Sequence, residues 1–207
     1  TRKENKKFCI ITSINSALQK TVSPNQIKTL GLYLQVGSKI SLSEVARFLI
    51  AKGYNREACA NDVGDFAVRG GIIDIVMNQA ADLVGYRLDF FGNDIESIKI
   101  FDPITQLTQE PVKSLEILPA SEVIMNQDTV NNFRHKYRDQ FGASVDDQLY
   151  AAVSEMRSYP GMEHWLPFFY KEDLSSFFDY LQNPVTFFDD EIRNLSTQRC
   201  NLIEEYY

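Results

Sequence analysis

Three groups of side chains in this sequence could do chemistry, and each needs its own supporting context. Thr186-Phe187-Phe188 runs into Asp189-Asp190-Glu191, an apolar strand-like stretch ending in acids. ATP-hydrolysing domains hold magnesium at such a place, but they also need a glycine-rich phosphate loop closing in Gly-Lys-Ser/Thr. The sequence has no such loop, and its adjacent glycines, Gly70-Gly71, lead into a strand pattern. An acidic helix start, stabilised by the helix dipole, is the plainer reading of Asp189–Glu191. The histidines, His135 and His164 (the latter beside Glu163), lie far apart with no metal-site spacing, and a packed loop histidine is the plainer reading. Cys9, Cys59 and Cys200 are far apart, as expected of reduced cytosolic thiols rather than a zinc site. No nucleophile elbow or glycine-rich dinucleotide turn is present, so no catalytic constellation is visible.

The third group is suited to binding. Arg69, Arg87 and Phe91 lie in a stretch of alternating apolar and polar residues from Asp65 to Pro119. In Tyr86-Arg87-Leu88-Asp89-Phe90-Phe91, strand parity puts Tyr86, Leu88 and Phe90 on one face and Arg87, Asp89 and Phe91 on the other. If the first set is core, an arginine and an aromatic ring are displayed together, the residue types that dominate protein interfaces. The plainer alternative is that Arg87 pairs with Asp89 or Asp74 across the sheet and Phe91 covers a helix.

The elements that would position these residues can be read from local signals. Gly70-Gly71, Gly92-Asn93 and Asp102-Pro103 break the Asp65–Pro119 stretch into consecutive short strands. Tyr33 to Val36 reads as a strand ending at Gly37. Ser41 three residues before Glu44 is a capping-box spacing, and Leu42, Val45 and Leu49 follow at helical intervals to a stop at Gly53. This predicts an amphipathic helix over 41–52 packed on the sheet. Upstream, Phe8 to Ile11 reads as a buried-type strand, and Thr12 or Ser13 as the cap of a brief helix through Leu18 that Pro24 ends.

Downstream of Pro119, Val130, Phe133, Tyr137 and Phe141 form one helical stripe, and Leu149, Val153 and Met156 another. Arg134, Lys136 and Arg138 lie among the polar residues of the first. A turn at Pro160-Gly161 precedes the aromatic cluster Trp165, Phe168, Phe169 and Tyr170. A short helix over Leu174–Leu181, a strand over Val185–Phe188 and a helix over Ile192–Tyr206 complete the reading.

The chain has 207 residues, is 44% hydrophobic and 12% aromatic, and can bury a real core. No apolar run is long enough to span a membrane, and no signal peptide opens it; the start looks like a cut through a longer protein. Net charge is −7, distributed as +5 over residues 1–30, −4 over 31–120 and −8 over 121–207. A groove that tracks phosphates needs a basic surface, which argues against nucleic acid as the main ligand.

The motifs FAVRGGIIDI, YRLDFFGNDIESIKIFDP and LEILPASE resemble the inserted domain shared by the excision-repair protein UvrB and the bacterial transcription-repair coupling factor (Mfd) family. FRHKYRDQF, YPGMEHWLPFFY and FFDYL resemble the coupling factors rather than UvrB. The resemblance covers nearly the whole chain from Phe8 onward. It implies an α+β and α/β architecture, a small antiparallel-sheet domain with a packed helix joined to part of a degenerate RecA-like (P-loop NTPase-like) domain. Residues 1–30 would end the first RecA-like half, 31–120 would form domain 2, and 121–207 would begin the second half, with Asp189–Glu191 where ATPase acids once stood.

The same resemblance implies the function: recruitment of UvrA by domain 2, linking RNA polymerase stalled at damaged DNA to nucleotide excision repair. The family's UvrA-binding role is carried onto Arg69, Arg87 and Phe91, with Asp89 in support, either orienting Arg87 or meeting a basic group of UvrA. No catalysis, cofactor or metal is expected in these residues. ATP and magnesium would serve the full-length DNA translocase, which would meet RNA polymerase and DNA through other domains. A C-terminal domain would mask the UvrA surface, and the protein would be cytoplasmic. The alternative is a piece of a UvrB-like ATP-dependent helicase.

Overall fold

The computed structural model describes residues 9–79, 82–142, 147–171 and 174–206. Phe8, the first residue of the expected N-terminal strand, lies outside them. The chain divides into two compact units, one of residues 1–24 with 174–207 and one of 25–173. It is a mixed α+β protein whose largest sheet is antiparallel but for one edge pair.

That sheet lies in the larger unit and has six strands in sequence order: β2 (Asn55–Arg56), β3 (Asp65–Arg69), β4 (Ile72–Gln79), β5 (Asp82–Phe91), β6 (Asp94–Phe101) and β7 (Thr108–Val112). The short β2 runs parallel to β3, and every later pair is antiparallel. Gly70 and Gly92 each have positive φ, +59° and +62°, in the tight turns joining β3 to β4 and β5 to β6. Glycine adopts that conformation without a Cβ penalty, which is why these two positions punctuate the alternation.

A second, two-stranded ribbon pairs β1 (Leu32–Gln35) with β8 (Ser114–Ile117). Helix α3 (Leu42–Ala51) starts at Ser41 with a complete capping box to Glu44, and Gly53 follows its end at φ +85°. Val45 and Leu49 of α3 join Leu34, Leu115 and Ile117 of the ribbon and Phe66, Ile73, Ile75, Tyr86, Leu88, Ile95 and Ile98 of the sheet in one buried core. The predicted helix therefore packs on the predicted face, and Tyr86, Leu88 and Phe90 point into the core. The opposite face has a smaller buried apolar patch, Ala60, Ala67, Val76 and Phe101, and carries Ile72 and Phe91 among its polar and charged side chains.

The remainder of this unit contains α2 (Pro24–Thr29), α4 (Gln127–Phe141), α5 (Gln148–Ser154) and α6 (Leu166–Phe169), with a 3-10 turn over Met162–Trp165. Phe133 stacks 4.9 Å from Phe169 and Tyr137 lies 5.5 Å from Trp165, so the aromatic cluster closes on α4. Lys136 donates to the carbonyls of Pro167 and Tyr170, both at 2.7 Å, satisfying backbone acceptors that the short α6 leaves open. Val130, Phe133 and Tyr137 are buried as the stripe predicts, whereas Phe141 is exposed at the helix end. Met156 lies beyond α5 with φ +56°, so it is not part of that helix.

The smaller unit contains α1 (Ile14–Leu18), capped by Ser13, and α7 (Ile192–Tyr206). Its expectations need four corrections. Cys9–Ile11 carry no strand, and both isoleucines are exposed. Val185–Phe188 are likewise exposed and carry no strand. An apolar run makes a strand only where an edge accepts its hydrogen bonds, and neither segment meets one among the described residues. Leu174–Leu181 forms only a 3-10 turn, Phe177–Tyr180, because a bridge between Ser175 and Thr21 holds its start extended. Pro24 opens α2 rather than ending α1, which stops at Gln19; proline is favoured in a first helical turn. Among the described residues no helix is long and apolar enough to cross a membrane.

Candidate functional site

The polar face of the six-stranded sheet brings the sequence-predicted binding residues together. The register pairs Ala67 with Asp74, Asp74 with Arg87, and Arg87 with Lys99, so these four form one row across β3 to β6. The next row towards the glycine turns holds Arg69, Ile72, Asp89 and Ser97. Beyond it Phe91 ends β5, opposite Asp94 at the hairpin tip. A bulge in β6 between Ser97 and Ile95 leaves the alternation of β5 intact, so Phe90 stays in the core and Phe91 on the polar face.

The three residues are displayed to different extents. Phe91 is 77% exposed and covers no helix. The Arg69 side chain is 50% exposed and gives one terminal nitrogen to Asp74. Arg87, by contrast, is only 17% exposed. Its Nε donates to Asp74 Oδ1 at 2.7 Å, one terminal nitrogen donates to Asp74 Oδ2 at 3.0 Å, and the other donates to Thr108 Oγ1 at 2.9 Å. The guanidinium also lies over the Phe101 ring, 4.9 Å from its centroid. The expectation of a freely displayed arginine is corrected here: parity places Arg87 on the right face, but a buried carboxylate and a ring hold it down.

Asp74 is the centre of this arrangement. It is fully buried, and its two oxygens accept from both Arg69 and Arg87. Those hydrogen bonds push the Arg87 pKa up; partial burial opposes them, and the fields of Asp74 and Asp89 add to them. The guanidinium is therefore fixed as a cation.

Asp89 does not orient Arg87 through a hydrogen bond. Its Oδ2 accepts from Lys99 Nζ at 2.7 Å and from the Ser97 hydroxyl. Partial burial is the largest influence on Asp89 and acts to raise its pKa. The hydrogen bonds from Lys99 and Ser97, with the fields of Lys99 and Arg87, together outweigh it and hold the carboxyl below its ordinary value. Lys99, 40% exposed, adds a second accessible cation to the face beside Arg69.

Lys99, Ser97, Thr108 and Phe101 are the site residues that sequence reasoning missed, whereas Asp74 was one of the two partners it offered Arg87, and the structure selects it over Asp89. Part of the signal was available, since a two-residue turn at Gly70-Gly71 fixes Asp74 opposite Ala67 and on the face of Arg69. The link between β4 and β5 had none, because Ala80-Ala81 carries no turn residue that would set the register of Asp74 against Arg87.

The other candidates are dispersed. Asp189 and Glu191 stand at the start of α7, where the Asp189 carboxylate accepts from the Glu191 backbone N–H at 2.9 Å. His135 pairs with Asp139 one turn along α4 at 2.8 Å. Among the described residues no group of three His, Cys, Asp or Glu side chains is placed to hold a metal ion. A face with two exposed cations, one exposed aromatic ring and a rigid ion-pair network beneath can recognise a partner that offers carboxylates around an apolar pocket.

Residues 32–123 match the family described as UvrB interaction domain, a span that contains the whole sheet and the ribbon. The chain is 36% identical over 208 residues to the transcription-repair-coupling factor of Rickettsia bellii, matching 100% of this chain and 18% of that protein. It is 30% identical over 196 residues to that of Haemophilus influenzae, with 94% and 17% covered. For that of Escherichia coli the figures are 29% over 172 residues, with 83% and 15% covered. The chain thus spans less than a fifth of the length of these relatives.

Proposed function

The chain belongs to the transcription-repair-coupling factor family, and from that premise we propose that its sheet face recruits UvrA to RNA polymerase stalled at damaged DNA. The observation that carries this reading is the exposure of Phe91 and Arg69 on one face of the segment that matches a UvrB interaction domain. Neither side chain is required by the core, and both are residue types that anchor interfaces. In this reading Phe91 enters an apolar pocket of UvrA, while Arg69 and Lys99 face carboxylates at its rim. Arg87 holds the face rigid between them.

Further proposals follow from membership of the family. The residues flanking the sheet domain, 1–30 and 121–207, would belong to a degenerate RecA-like module. ATP, magnesium, DNA and RNA polymerase would be handled by other parts of a longer protein, and a C-terminal domain would mask the recruiting face at rest. The protein would act in the cytoplasm.

The test is a pull-down and titration of UvrA with the 207-residue chain and its Arg69→Ala and Phe91→Ala variants. The reading predicts saturable binding by the unaltered chain and marked weakening in both variants. Equal binding by all three, with folding retained, removes the assignment.

A further inference from the structure

We infer that Asp74 is the positioning residue of this face: its buried carboxylate sets the arrangement of Arg69 and Arg87 on which recognition depends. The inference rests on the recruitment reading above and goes beyond it, because Asp74 itself is inaccessible to any partner.

The argument starts from donor geometry. An arginine presents its N–H groups in a rigid planar fork, and a bidentate carboxylate fixes the orientation of that plane. Asp74 takes Nε and one terminal nitrogen of Arg87 and one terminal nitrogen of Arg69. Thr108 holds the remaining Arg87 nitrogen, and the Phe101 ring lies under its plane. Phe101 in turn lies against Gly85, where a Cβ would come within 2.5 Å of the ring. One buried anion thus ties together β3, β4, β5, β6 and the start of β7. Without that anion the two guanidinium groups repel each other, and Arg69 would have many rotamers to lose on binding. Preorganisation of a long cationic side chain is a recognised source of affinity, and here a single carboxylate provides it for two.

The experiment uses the 207-residue chain and purified UvrA. Asp74→Asn keeps the shape and removes the charge. UvrA affinity should fall about tenfold or more in the otherwise unaltered chain, yet change by less than about twofold when Arg69→Ala and Arg87→Ala are already present, because interacting sites are non-additive. Wild-type affinity in a folded Asp74→Asn protein overturns the inference, as does a loss that adds in full to the loss in the arginine variants.

A second measurement covers an Asp74→Asn chain that fails to fold. In the unaltered chain the Arg87 Nε–H should give a separate, slowly exchanging NMR signal; a fast-exchanging, averaged signal shows an unheld side chain and overturns the inference by itself. Phe91→Ala separates the two layers of the account. If it weakens binding and Asp74→Asn does not, positioning fails alone; if the unaltered chain does not bind UvrA, recruitment fails first.

Discussion

An arginine on an open sheet face can serve either of two ends, and Arg69 and Arg87 divide them. Arg87 is tied to Asp74, Thr108 and the Phe101 ring, so its removal should be felt in folding first. Taking one partner from a buried ion pair leaves the other charge uncompensated, at a cost of about 3–5 kcal/mol. Asp74→Ala is therefore expected to lower the unfolding free energy by about that amount, read from the denaturant midpoint. Phe91→Ala should behave in the opposite way, because the ring is 77% exposed. Stability should stay within about 0.5 kcal/mol, while UvrA affinity should fall roughly thirtyfold, about 2 kcal/mol for an anchor.

The acid limit of stability also has a residue-scale contributor. Asp89 has a folded pKa below its unfolded value, so its contribution is present above the unfolded pKa and lost as pH falls through the folded one. Unfolding midpoints should drop on acidification below about pH 4, with a smaller drop in Asp89→Asn. Tyr137 acts at the other end. Burial, followed by its hydrogen bond to Asp147, raises its pKa to about 12, so stability present below the unfolded value of about 10 is lost as pH rises towards 12. Tyr137→Phe should flatten that alkaline loss.

At the scale of elements, what could be read in advance was what local chemistry determines. Helix α3 was legible because Ser41, Glu44 and Gly53 specify both ends within a dozen residues, and its apolar stripe names the buried side. The two hairpins at Gly70-Gly71 and Gly92-Asn93 were legible because only certain residues tolerate positive φ. Alternation along β5 was enough to place Phe91 outward. The strands expected over Cys9–Ile11 and Val185–Phe188 fail for one cause: both have strand composition, but a strand is a relation between two segments and composition cannot supply the partner. For Arg87 the sequence reading left two partners open, Asp74 and Asp89, because choosing between them depends on a register that Ala80-Ala81 does not announce.

The sheet itself makes an element-scale prediction. Gly85 of β5 leaves room for the Phe101 ring, and a methyl group there would lie 2.5 Å from it. Gly85→Ala should cost about 1–3 kcal/mol by overpacking and shift the ring from beneath Arg87. Thermal unfolding reads the first effect, and the chemical shifts of the Phe101 ring protons read the second.

For the molecule as a whole, net charge −7 coexists with a face that displays two cations, Arg69 and Lys99, together with the exposed Asp94 at the hairpin tip. In the recruitment reading the two cations meet carboxylates of the partner, which gives the interaction a salt response. Exposed charges are screened beyond about 8 Å at physiological ionic strength, so added salt should slow association more than it speeds dissociation. Charge totals argued against a phosphate-tracking groove but could not find this face, because its cations are a minority in an acidic chain. Strand parity pointed to it before the family resemblance did, and the register explained why Arg87, though on the face, is not free.

The most direct test of the central claim is a titration of purified UvrA against the chain, comparing the unaltered protein with the folded Arg69→Ala/Phe91→Ala double variant. The account predicts saturable binding by the first and a loss of roughly a thousandfold in affinity for the second, two anchors of about 2 kcal/mol each. Equal affinity for both proteins would contradict it.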